Sequence, residues 1–328
     1  MTTTPRMRAV RQHTLGDPSV LQIDHVPVPE PGPSEVLVRV EATSLSPTDW
    51  VHRAIPGFLG TGTRTLGWDV AGVVVERGLG VTVHSVGDRV FGMLPYPHGH
   101  GAAAELVVAP ARALVPIPRD VPSTTAAALP LVGLTAWQSL VDTADLRAGQ
   151  RVLVHAAAGG VGHVAVQLAA ELGAHVIGTA SAANHAVVRD LGAHEVVDYR
   201  RPDLQTQVGQ VDVVLDAIGG DTTRAALGVL RRGGVVVSLP LNRVTPLGPQ
   251  ARAAGVRHEL LLVEHDQLGM RALADRLADG RLRPLVESVA PLFDLEAVRD
   301  AHRRGESNHV VGKLVLEADG RPPTQPVV

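Results

Sequence analysis

Cysteine is absent from the 328-residue chain, which excludes disulfides, iron–sulfur clusters, thiol nucleophiles and any zinc site built on thiolates. Aromatic residues make up only 2% of the chain, so the core must be built from valine, leucine, alanine and isoleucine. Lys313 is the only lysine, and the formal net charge is −3. This balance disfavours a nucleic-acid-binding surface.

Long hydrophobic runs are missing as well. No stretch reaches about 18 uninterrupted apolar residues, so no membrane span is expected. The first residues carry no apolar block behind their charges, so no signal peptide is expected and the default location is cytoplasmic. Hydrophobic residues at 45% and charged residues at 19% are typical of a globular enzyme, and the length predicts two domains.

Residues 8–120 predict short strands broken by proline and glycine. Apolar runs such as 36–40, 72–75 and 104–108 are separated by glycines and prolines, with little helical periodicity between them. Closely spaced strands of this kind favour a β-barrel or sandwich.

The pattern changes near residue 122. A helix is predicted over 123–140, and strand and helix signals alternate from 151 to 238. This repetition indicates a parallel sheet with helices on both faces. A last amphipathic helix is predicted at 268–277, and a strand at 312–317 that rejoins the first domain.

A glycine-rich turn between a predicted strand and a predicted helix is the most informative local signal. The segment from Ala157 to Gly162 has the form Ala-x-Gly-x-x-Gly and also contains Gly159, Gly160 and Val161. In this context Gly159 lets the backbone approach a pyrophosphate, Gly162 lets the helix pack on the strand, and the N–H groups at the start of the helix face the phosphates. We predict a dinucleotide site here; the alternative is a turn with a packing role only.

The next predicted strand favours NADPH over NADH. An NAD site usually has an acidic residue about 20 residues after the glycine turn, to hold the ribose hydroxyls. This chain has Ser181 there, followed by Asn184 and His185, and no acid. These three side chains can donate hydrogen bonds to a 2′-phosphate; the alternative is that they are polar loop residues without a ligand.

Seven ordered motifs resemble one family, the medium-chain dehydrogenase/reductase superfamily, in its zinc-independent quinone oxidoreductase (zeta-crystallin-like) branch. The resemblance covers residues 8–317. The motifs are Ser46-Pro-Thr-Asp-Trp50, Gly67-Trp-Asp-Val-Ala-Gly72, Gly87-Asp-Arg-Val90, Leu129-Pro-Leu-Val-Gly-Leu-Thr-Ala136, Ala156-Ala-Ala-Gly-Gly-Val-Gly162, Leu191-Gly-Ala-His-Glu-Val-Val-Asp-Tyr199 and Gly312-Lys313.

The resemblance implies an α/β fold in which a GroES-like β-barrel catalytic domain is interrupted by a Rossmann domain with a doubly wound parallel sheet. The expected divisions are 1–122 for the N-terminal part of the catalytic domain, 123–264 for the Rossmann domain, 265–317 for the return to the catalytic domain, and 318–328 for a flexible tail.

The resemblance also extends the expected cofactor site. It places Tyr199 near the 2′-phosphate, and Leu239, Asn242 and Val263 beside the nicotinamide. A lysine or arginine often completes the phosphate site in the family, but residues 182–184 of this chain are Ala-Ala-Asn.

No metal is expected to take part in the reaction. The candidate ligands are His52, His98 and His100. The pair His98 and His100 could chelate an ion, but it lies in a segment rich in proline and glycine, where turn or substrate-channel roles are the simpler interpretation. Without a metal, oxidation of an alcohol lacks a group to stabilise the alkoxide. Reduction of a quinone or an α,β-unsaturated carbonyl (enone) needs only a hydride from NADPH and hydrogen-bond donors for the carbonyl oxygen.

Three residues are candidates for the catalytic donor. Relatives carry a pocket tyrosine shortly after the Ser/Asn-Pro-x-Asp motif, and this chain does not. Trp50, His52 and Tyr96 are the candidates in its place; packing is the alternative for Trp50. Asp69 is expected to make a structural hydrogen bond, and Arg53 is expected to be solvated.

The leading hypothesis is therefore an NADPH-dependent quinone or enone reductase. A biosynthetic tailoring reductase acting on an unusual unsaturated intermediate, a nucleotide-binding protein without catalysis, and a non-redox, cyclase-like enzyme on the same fold are the alternatives. The expected partners are a small-molecule substrate and a second copy of the chain, with Val235–Pro240 as a candidate edge strand for the homodimer.

Overall fold

The computed structural model describes residues 5–98, 101–201, 204–239 and 247–320. It contains strands that we number in chain order: β1 Arg6–Gln12, β2 Leu21–Pro27, β3 Glu35–Leu45, β4 Arg64–Thr65, β5 Asp69–Arg77, β6 Arg89–Met93, β7 Leu106–Pro110, β8 Leu114–Pro116, β9 Arg151–Val154, β10 His175–Ala180, β11 Glu195–Asp198, β12 Val211–Asp216, β13 Leu230–Ser238, β14 Arg257–Leu260, β15 Val286–Pro291 and β16 Lys313–Glu317.

The helices are numbered in the same way: α1 Pro47–Ala54, α2 Ser123–Ala127, α3 Pro130–Trp137, α4 Gly162–Glu171, α5 His185–Asp190, α6 Leu204–Val208, α7 Asp221–Ala226, α8 Gly248–Ala254, α9 Gln267–Ala278 and α10 Leu295–Glu306. Among the described residues, none of these helices combines the length and the apolar character needed to cross a bilayer.

The chain folds into two units. The first takes in the described residues of Met1–Leu131, Glu264–Gly280 and Pro284–Val328, and the second those of Val132–Val263 and Arg281–Arg283. The N-terminal part of the first unit therefore ends later than the expected boundary at 122, because α2 packs on β3 and β5.

The first unit is built on two mostly antiparallel sheets. The larger has the order β15-β16-β3-β5-β6-β8, with β7 paired to β3, and the smaller has the order β2-β1-β4. Valines on β3 and β5, among them Val36, Val38 and Val74, are fully buried in one core cluster. Strand β16 pairs with β3, so the C-terminal strand rejoins the first unit as the sequence predicts. The expected GroES-like β architecture is confirmed.

The second unit is a six-stranded parallel sheet with the order β11-β10-β9-β12-β13-β14. Its central strands are buried on both faces, as the runs 152–154 and 235–237 predict. The predicted Rossmann fold is therefore confirmed. Because β9, β10 and β11 run parallel, their carboxyl ends lie at one edge of the sheet. Cofactors bind at this edge in sheets of this class.

Two local predictions are wrong. Residues 235–238 do not form an edge, because β13 pairs with β12 on one side and β14 on the other. Strand β14 is the edge strand, and its sequence, Arg-His-Glu-Leu, lacks the apolar alternation that would have indicated a strand. The helix predicted over 123–140 is interrupted between α2 and α3 and ends in a π-helical segment at Gln138–Thr143.

Candidate active site and nucleotide site

Helix α1 begins at the Ser-Pro-Thr-Asp motif of the first unit. Pro47 occupies the first helical position, where its missing N–H costs nothing. The Asp49 carboxylate accepts the N–H of Ser46 at 2.8 Å and that of Gly67 at 3.0 Å. Burial raises the pKa of Asp49 to about 7. Asp49 therefore ties the start of the helix to the loop before β5.

Four aromatic rings gather around α1, and we call them the aromatic cluster: His52, Phe58, Trp68 and Tyr96. The ring centroids of His52 and Trp68 are 5.5 Å apart, and those of Trp68 and Tyr96 are 5.4 Å apart. Tyr96 also meets His52 edge-on at 6.0 Å. Two of the three predicted catalytic residues, His52 and Tyr96, are thus brought together.

The hydrogen-bonding states of His52 and Tyr96 differ. The Nδ1 of His52 lies 2.8 Å from the carbonyl oxygen of Thr48; because a carbonyl only accepts, Nδ1 carries the hydrogen and the Nε2 of the neutral ring has none. Burial raises the pKa of Tyr96 to about 12, and the nearby Asp49 adds to the effect. Tyr96 is therefore a hydroxyl donor at neutral pH, whereas the Nδ1–H tautomer of His52 can only accept at Nε2.

Trp50 lies elsewhere on the same helix. Its indole packs so closely on Gly305 of α10 that a Cβ at that glycine would fall 2.5 Å from the ring. It belongs with the apolar residues that join α10 to the sheet. Trp50 therefore packs against α10 and is not part of the aromatic cluster.

The prediction that Arg53 is solvated is wrong. Its side chain is 1% exposed, its Nη1 meets the Nδ1 of His302 at 3.0 Å, and its Nη2 donates to Glu306. Its Nε donates to the carbonyl of Gly16 at 3.1 Å. Helix α1 is thereby fastened to α10, which the helical pattern alone did not indicate.

This contact predicts a pH dependence of stability. Burial, and then the charge of Arg53, lower the pKa of His302 from 6.5 to about 3. Below pH 6.5 His302 becomes protonated in the unfolded chain but stays neutral in the folded chain. The part of the free energy of unfolding that depends on His302 is therefore fully present above pH 6.5 and is lost as the pH falls towards 3. Between pH 7.5 and 5 the loss from this group is about 2 kcal/mol.

The measurement is urea unfolding at pH 7.5 and 5 of the wild type and His302→Gln. The amide oxygen of glutamine still accepts from Arg53 but does not titrate, so the variant should lose less stability over this interval. An equal loss in both proteins would contradict the assignment.

A buried polar network links the motif residues of the first unit. The Asp69 carboxylate accepts the Ser44 hydroxyl at 2.5 Å and the N–H of Leu131 at 2.7 Å. Lys313 Nζ lies 3.5 Å from the same carboxylate and donates to the Ser46 hydroxyl at 2.5 Å. Asp69 thus has the structural role expected for it. The role of Lys313 was missed, although its being the only lysine was a usable signal.

The glycine turn of the second unit lies between β9 and α4. The N–H of Ala157 donates to the carbonyl of Thr179 at 2.9 Å, and that of Gly159 to the carbonyl of Ala156 at 2.8 Å. A Cβ at Gly162 would lie 2.2 Å from the carbonyl oxygen of Ala156. A side chain at residue 162 would thus clash with the backbone of the turn, so glycine is required where α4 begins.

The turn leaves backbone donors available. Among the described residues, no backbone carbonyl receives the N–H groups of Gly160, Val161 and Gly162. Helix α4 begins at Gly162, so these groups stand at the positive end of its dipole. Such an arrangement fits an anionic phosphate group.

The next two strand ends bring the other predicted cofactor residues to the same edge. Ala180 of β10 is in register with Asp198 of β11, so the residues that follow these strands, Ser181 and Tyr199, are neighbours. Asn184 closes a short turn by donating its N–H to the carbonyl of Ser181 at 2.9 Å. His185 begins α5, which packs against β11 at this edge.

The remaining predicted cofactor residues are only partly described. Leu239 follows β13 and donates its N–H to the carbonyl of Asp216 at 3.0 Å, and Val263 is buried after β14. Asn242 lies outside the described residues. His100 does too, and His98 is exposed. Over the described ranges, no group of three or more His, Asp or Glu side chains is arranged to hold a metal ion.

Comparison with known proteins identifies the family. Residues 32–119 match the alcohol dehydrogenase GroES-like domain family, and residues 191–316 match the zinc-binding dehydrogenase family. The chain is 34% identical to the chloroplast envelope quinone oxidoreductase homolog of Arabidopsis thaliana, over 95% of this chain and 98% of the relative. The chain belongs to the medium-chain dehydrogenase/reductase superfamily, in its quinone oxidoreductase-like branch.

Two further similarities concern the chemistry of the branch. The chain is 34% identical to a 2-haloacrylate reductase from Burkholderia, over 93% of this chain and 97% of the relative. It is 31% identical to the mycobacterial protein Rv1454c, whose structure was solved in complex with NADPH, with a TM-score of 0.85 over 95% of this chain and 99% of that one. The chain is thus an oxidoreductase of a family whose members bind nicotinamide cofactors.

Proposed function

We propose that this oxidoreductase uses NADPH to reduce a quinone or an α,β-unsaturated carbonyl compound without zinc. The observation that carries the proposal is the glycine turn, where Gly160, Val161 and Gly162 offer three N–H groups to a pyrophosphate at the start of α4. Similarity to a 2-haloacrylate reductase supports the proposed acceptor, and similarity to a protein solved in complex with NADPH supports the proposed cofactor.

The residues of the second unit fit a phosphorylated dinucleotide. Gly159 and Gly160 allow close approach of the backbone, and Ser181, Asn184, His185 and Tyr199 would surround the 2′-phosphate. Ser181 stands where an NAD-specific site would usually have an acid. We assign Leu239 and Val263 to the nicotinamide side, with Asn242.

The residues of the first unit would act on the acceptor. When bound, NADPH supplies a hydride to the β-carbon of the enone or to the quinone ring system, and negative charge moves to the carbonyl oxygen. The Tyr96 hydroxyl, protonated at neutral pH, would donate a hydrogen bond to that oxygen. Solvent supplies the proton that balances the reduction. Phe58, which is exposed, would provide an apolar face for a planar acceptor, and the buried Trp68 packs against His52 and Tyr96.

The test of the proposal is NADPH oxidation with a panel of quinones, enones and 2-haloacrylates, with NADH in parallel. Turnover with NADPH and an electron-poor acceptor is expected. Tight NADPH binding without turnover would favour a nucleotide-binding or cyclase-like protein instead. Turnover confined to one elaborate substrate would favour a biosynthetic tailoring reductase. Calorimetry that shows no binding of NADPH or NADH would overturn the proposal.

Zinc independence has its own measurement. The protein is purified, treated with a chelator and assayed before and after zinc is added back. We expect activity to stay within about twofold, because the donors that we assign are side-chain hydroxyls and backbone N–H groups rather than a Lewis acid. Loss of activity on chelation with recovery on zinc addition would contradict this part of the proposal.

Tyr96→Phe should lower kcat/KM about 10²-fold, the usual cost of removing one donor to a developing oxyanion. Phenylalanine keeps the ring contacts of the aromatic cluster, so the binding of NADPH should not change. His52→Asn serves as the comparison, because the Nδ1–H tautomer of His52 has no hydrogen at Nε2 to donate. Steady-state kinetics in which His52→Asn loses the larger factor would reassign the donor to His52.

A cytoplasmic location and a homodimer also stay predictions. The edge strand β14, whose last residue Leu260 is exposed and in register with Ser238 of β13, replaces residues 235–240 as the segment through which two copies would pair.

A further inference from the structure

The predicted 2′-phosphate site lacks the basic residue that its chemistry calls for. Ser181, Asn184 and Tyr199 can donate hydrogen bonds but carry no positive charge, and residues 182 and 183 are alanines. A phosphate monoester brings close to two negative charges. The site as predicted therefore lacks a basic donor for the phosphate.

Arg200 stands directly after Tyr199 at the end of β11. Its Nε and Nη2 donate to the two carboxylate oxygens of Asp198 at 3.0 and 2.8 Å, and its own backbone N–H donates to the same carboxylate at 3.0 Å. The guanidinium carbon lies 5.9 Å from the centre of the Tyr199 ring. The bidentate pair thus fixes the orientation of the guanidinium beside the tyrosine.

The guanidinium retains free donors. Asp198 takes two of its five N–H groups, and among the described residues Nη1 has no hydrogen-bond acceptor. The side chain is 58% exposed, so a ligand can reach it. An arginine that donates only some of its N–H groups to an aspartate can donate the remaining ones to a phosphate.

A second observation at the same edge also points to a ligand. The Nε2 of His185 is shielded from solvent and has no hydrogen-bond partner among the described residues. A polar ring nitrogen in that position is expected to have a partner. His185 begins α5, and this helix packs against β11, the strand that ends at Asp198.

We propose that the Asp198–Arg200 ion pair supplies the basic donor of the 2′-phosphate site, with Asp198 holding Arg200 so that its free N–H groups meet the phosphate beside Tyr199 and His185. The inference rests on the proposed NADPH dependence and adds to it the residue that sets the preference for a 2′-phosphorylated cofactor. The charges of Asp198 and Arg200 cancel within the pair, so what Arg200 offers the phosphate is oriented N–H donors rather than a net positive charge.

The test uses two nucleotides that differ in the 2′-phosphate. Binding of 2′,5′-ADP and of 5′-AMP to the full chain is measured by calorimetry for the wild type and Arg200→Gln. We expect the variant to bind 2′,5′-ADP at least tenfold more weakly and 5′-AMP within twofold of the wild type, since only the former carries the group that Arg200 contacts. Arg200→Lys, which keeps the charge but not the fork, should fall in between.

Arg231→Gln is the matched control. Arg231 also forms an ion pair with an aspartate, its Nη1 lying 3.0 Å from Asp212, but it belongs to the start of β13, opposite the carboxyl edge of the parallel sheet. It should bind both nucleotides as the wild type does. If Arg200→Gln and the wild type bind 2′,5′-ADP equally, the assignment of Arg200 is overturned while the reductase proposal stands. If the wild type binds neither nucleotide nor NADPH, both are overturned.

Discussion

Gly162→Ala is expected to destabilise the protein by about 3 kcal/mol and to weaken NADPH binding by at least tenfold. The new Cβ would lie 2.2 Å from the carbonyl oxygen of Ala156 and 2.7 Å from the Cα of Ala157. Both neighbours are backbone atoms, so the clash is not relieved by a change of rotamer, and the turn must move away from α4. Urea unfolding and calorimetry measure the two effects.

Gly159→Ala separates the two roles of the turn. A Cβ at Gly159 would lie 3.2 Å from the carbonyl oxygen of Ala156, a contact that a shift of a few tenths of an ångström relieves. The unfolding free energy should therefore change by less than about 1 kcal/mol. Binding should still weaken about tenfold, because the methyl group intrudes where the backbone approaches the pyrophosphate.

The control for both variants is Gly62→Ala, since a Cβ there has no atom within 4 Å. It should change neither stability nor binding. A Gly162→Ala protein as stable as the wild type would show that the turn and α4 are not packed as described. Weakened binding only in the unstable variant would remove the direct role of Gly159.

The second unit was predictable because its signals are local. A run of buried β-branched residues, a glycine turn and an amphipathic helix follow one another within about 20 residues, and that order defines a βαβ unit. Strand β14 was not predicted from the sequence, because edge strands are only partly buried and show no strong alternation of apolar and polar residues. The ion pair of Arg200 was not predicted, because its partner, Asp198, is recognisable only once the end of β11 is located in the fold.

The first unit was harder to derive from sequence. Its candidate residues come from separate segments: His52 from α1, Trp68 from the loop before β5, and Tyr96 from the loop after β6. The motifs indicated that these segments matter, but only the fold brings their rings together. Trp50 and Arg53 show the same limit, because their burial depends on α10, more than 240 positions away in the chain.

Lys313→Met is expected to destabilise the protein by about 3–5 kcal/mol, the usual cost of leaving one partner of a buried ion pair uncompensated. The side chains of Lys313 and Asp69 are 2% and 1% exposed. Burial already raises the pKa of Asp69, and Lys313 is the largest influence in the opposite direction. Removing the ammonium group should therefore raise that pKa further.

The sign of the pH effect follows from this change. A carboxyl whose folded pKa is raised is more stable in the folded protein when protonated, so the stability of Lys313→Met should recover relative to the wild type as the pH falls. At high pH the buried, ionised carboxylate opposes folding. Urea unfolding at pH 8 and pH 5 measures the difference, which should shrink at the lower pH.

Two further variants separate the ion pair from general loss of packing. Lys313→Met combined with Asp69→Asn removes both charges and should recover more than half of the loss, because no buried charge is left unpaired. Arg11→Met breaks a partly exposed pair with Asp24, at 3.4 Å, and should cost less than about 0.5 kcal/mol. If the double variant is as unstable as the single one, Lys313 stabilises the fold through its contact with Ser46 rather than by its charge on Asp69.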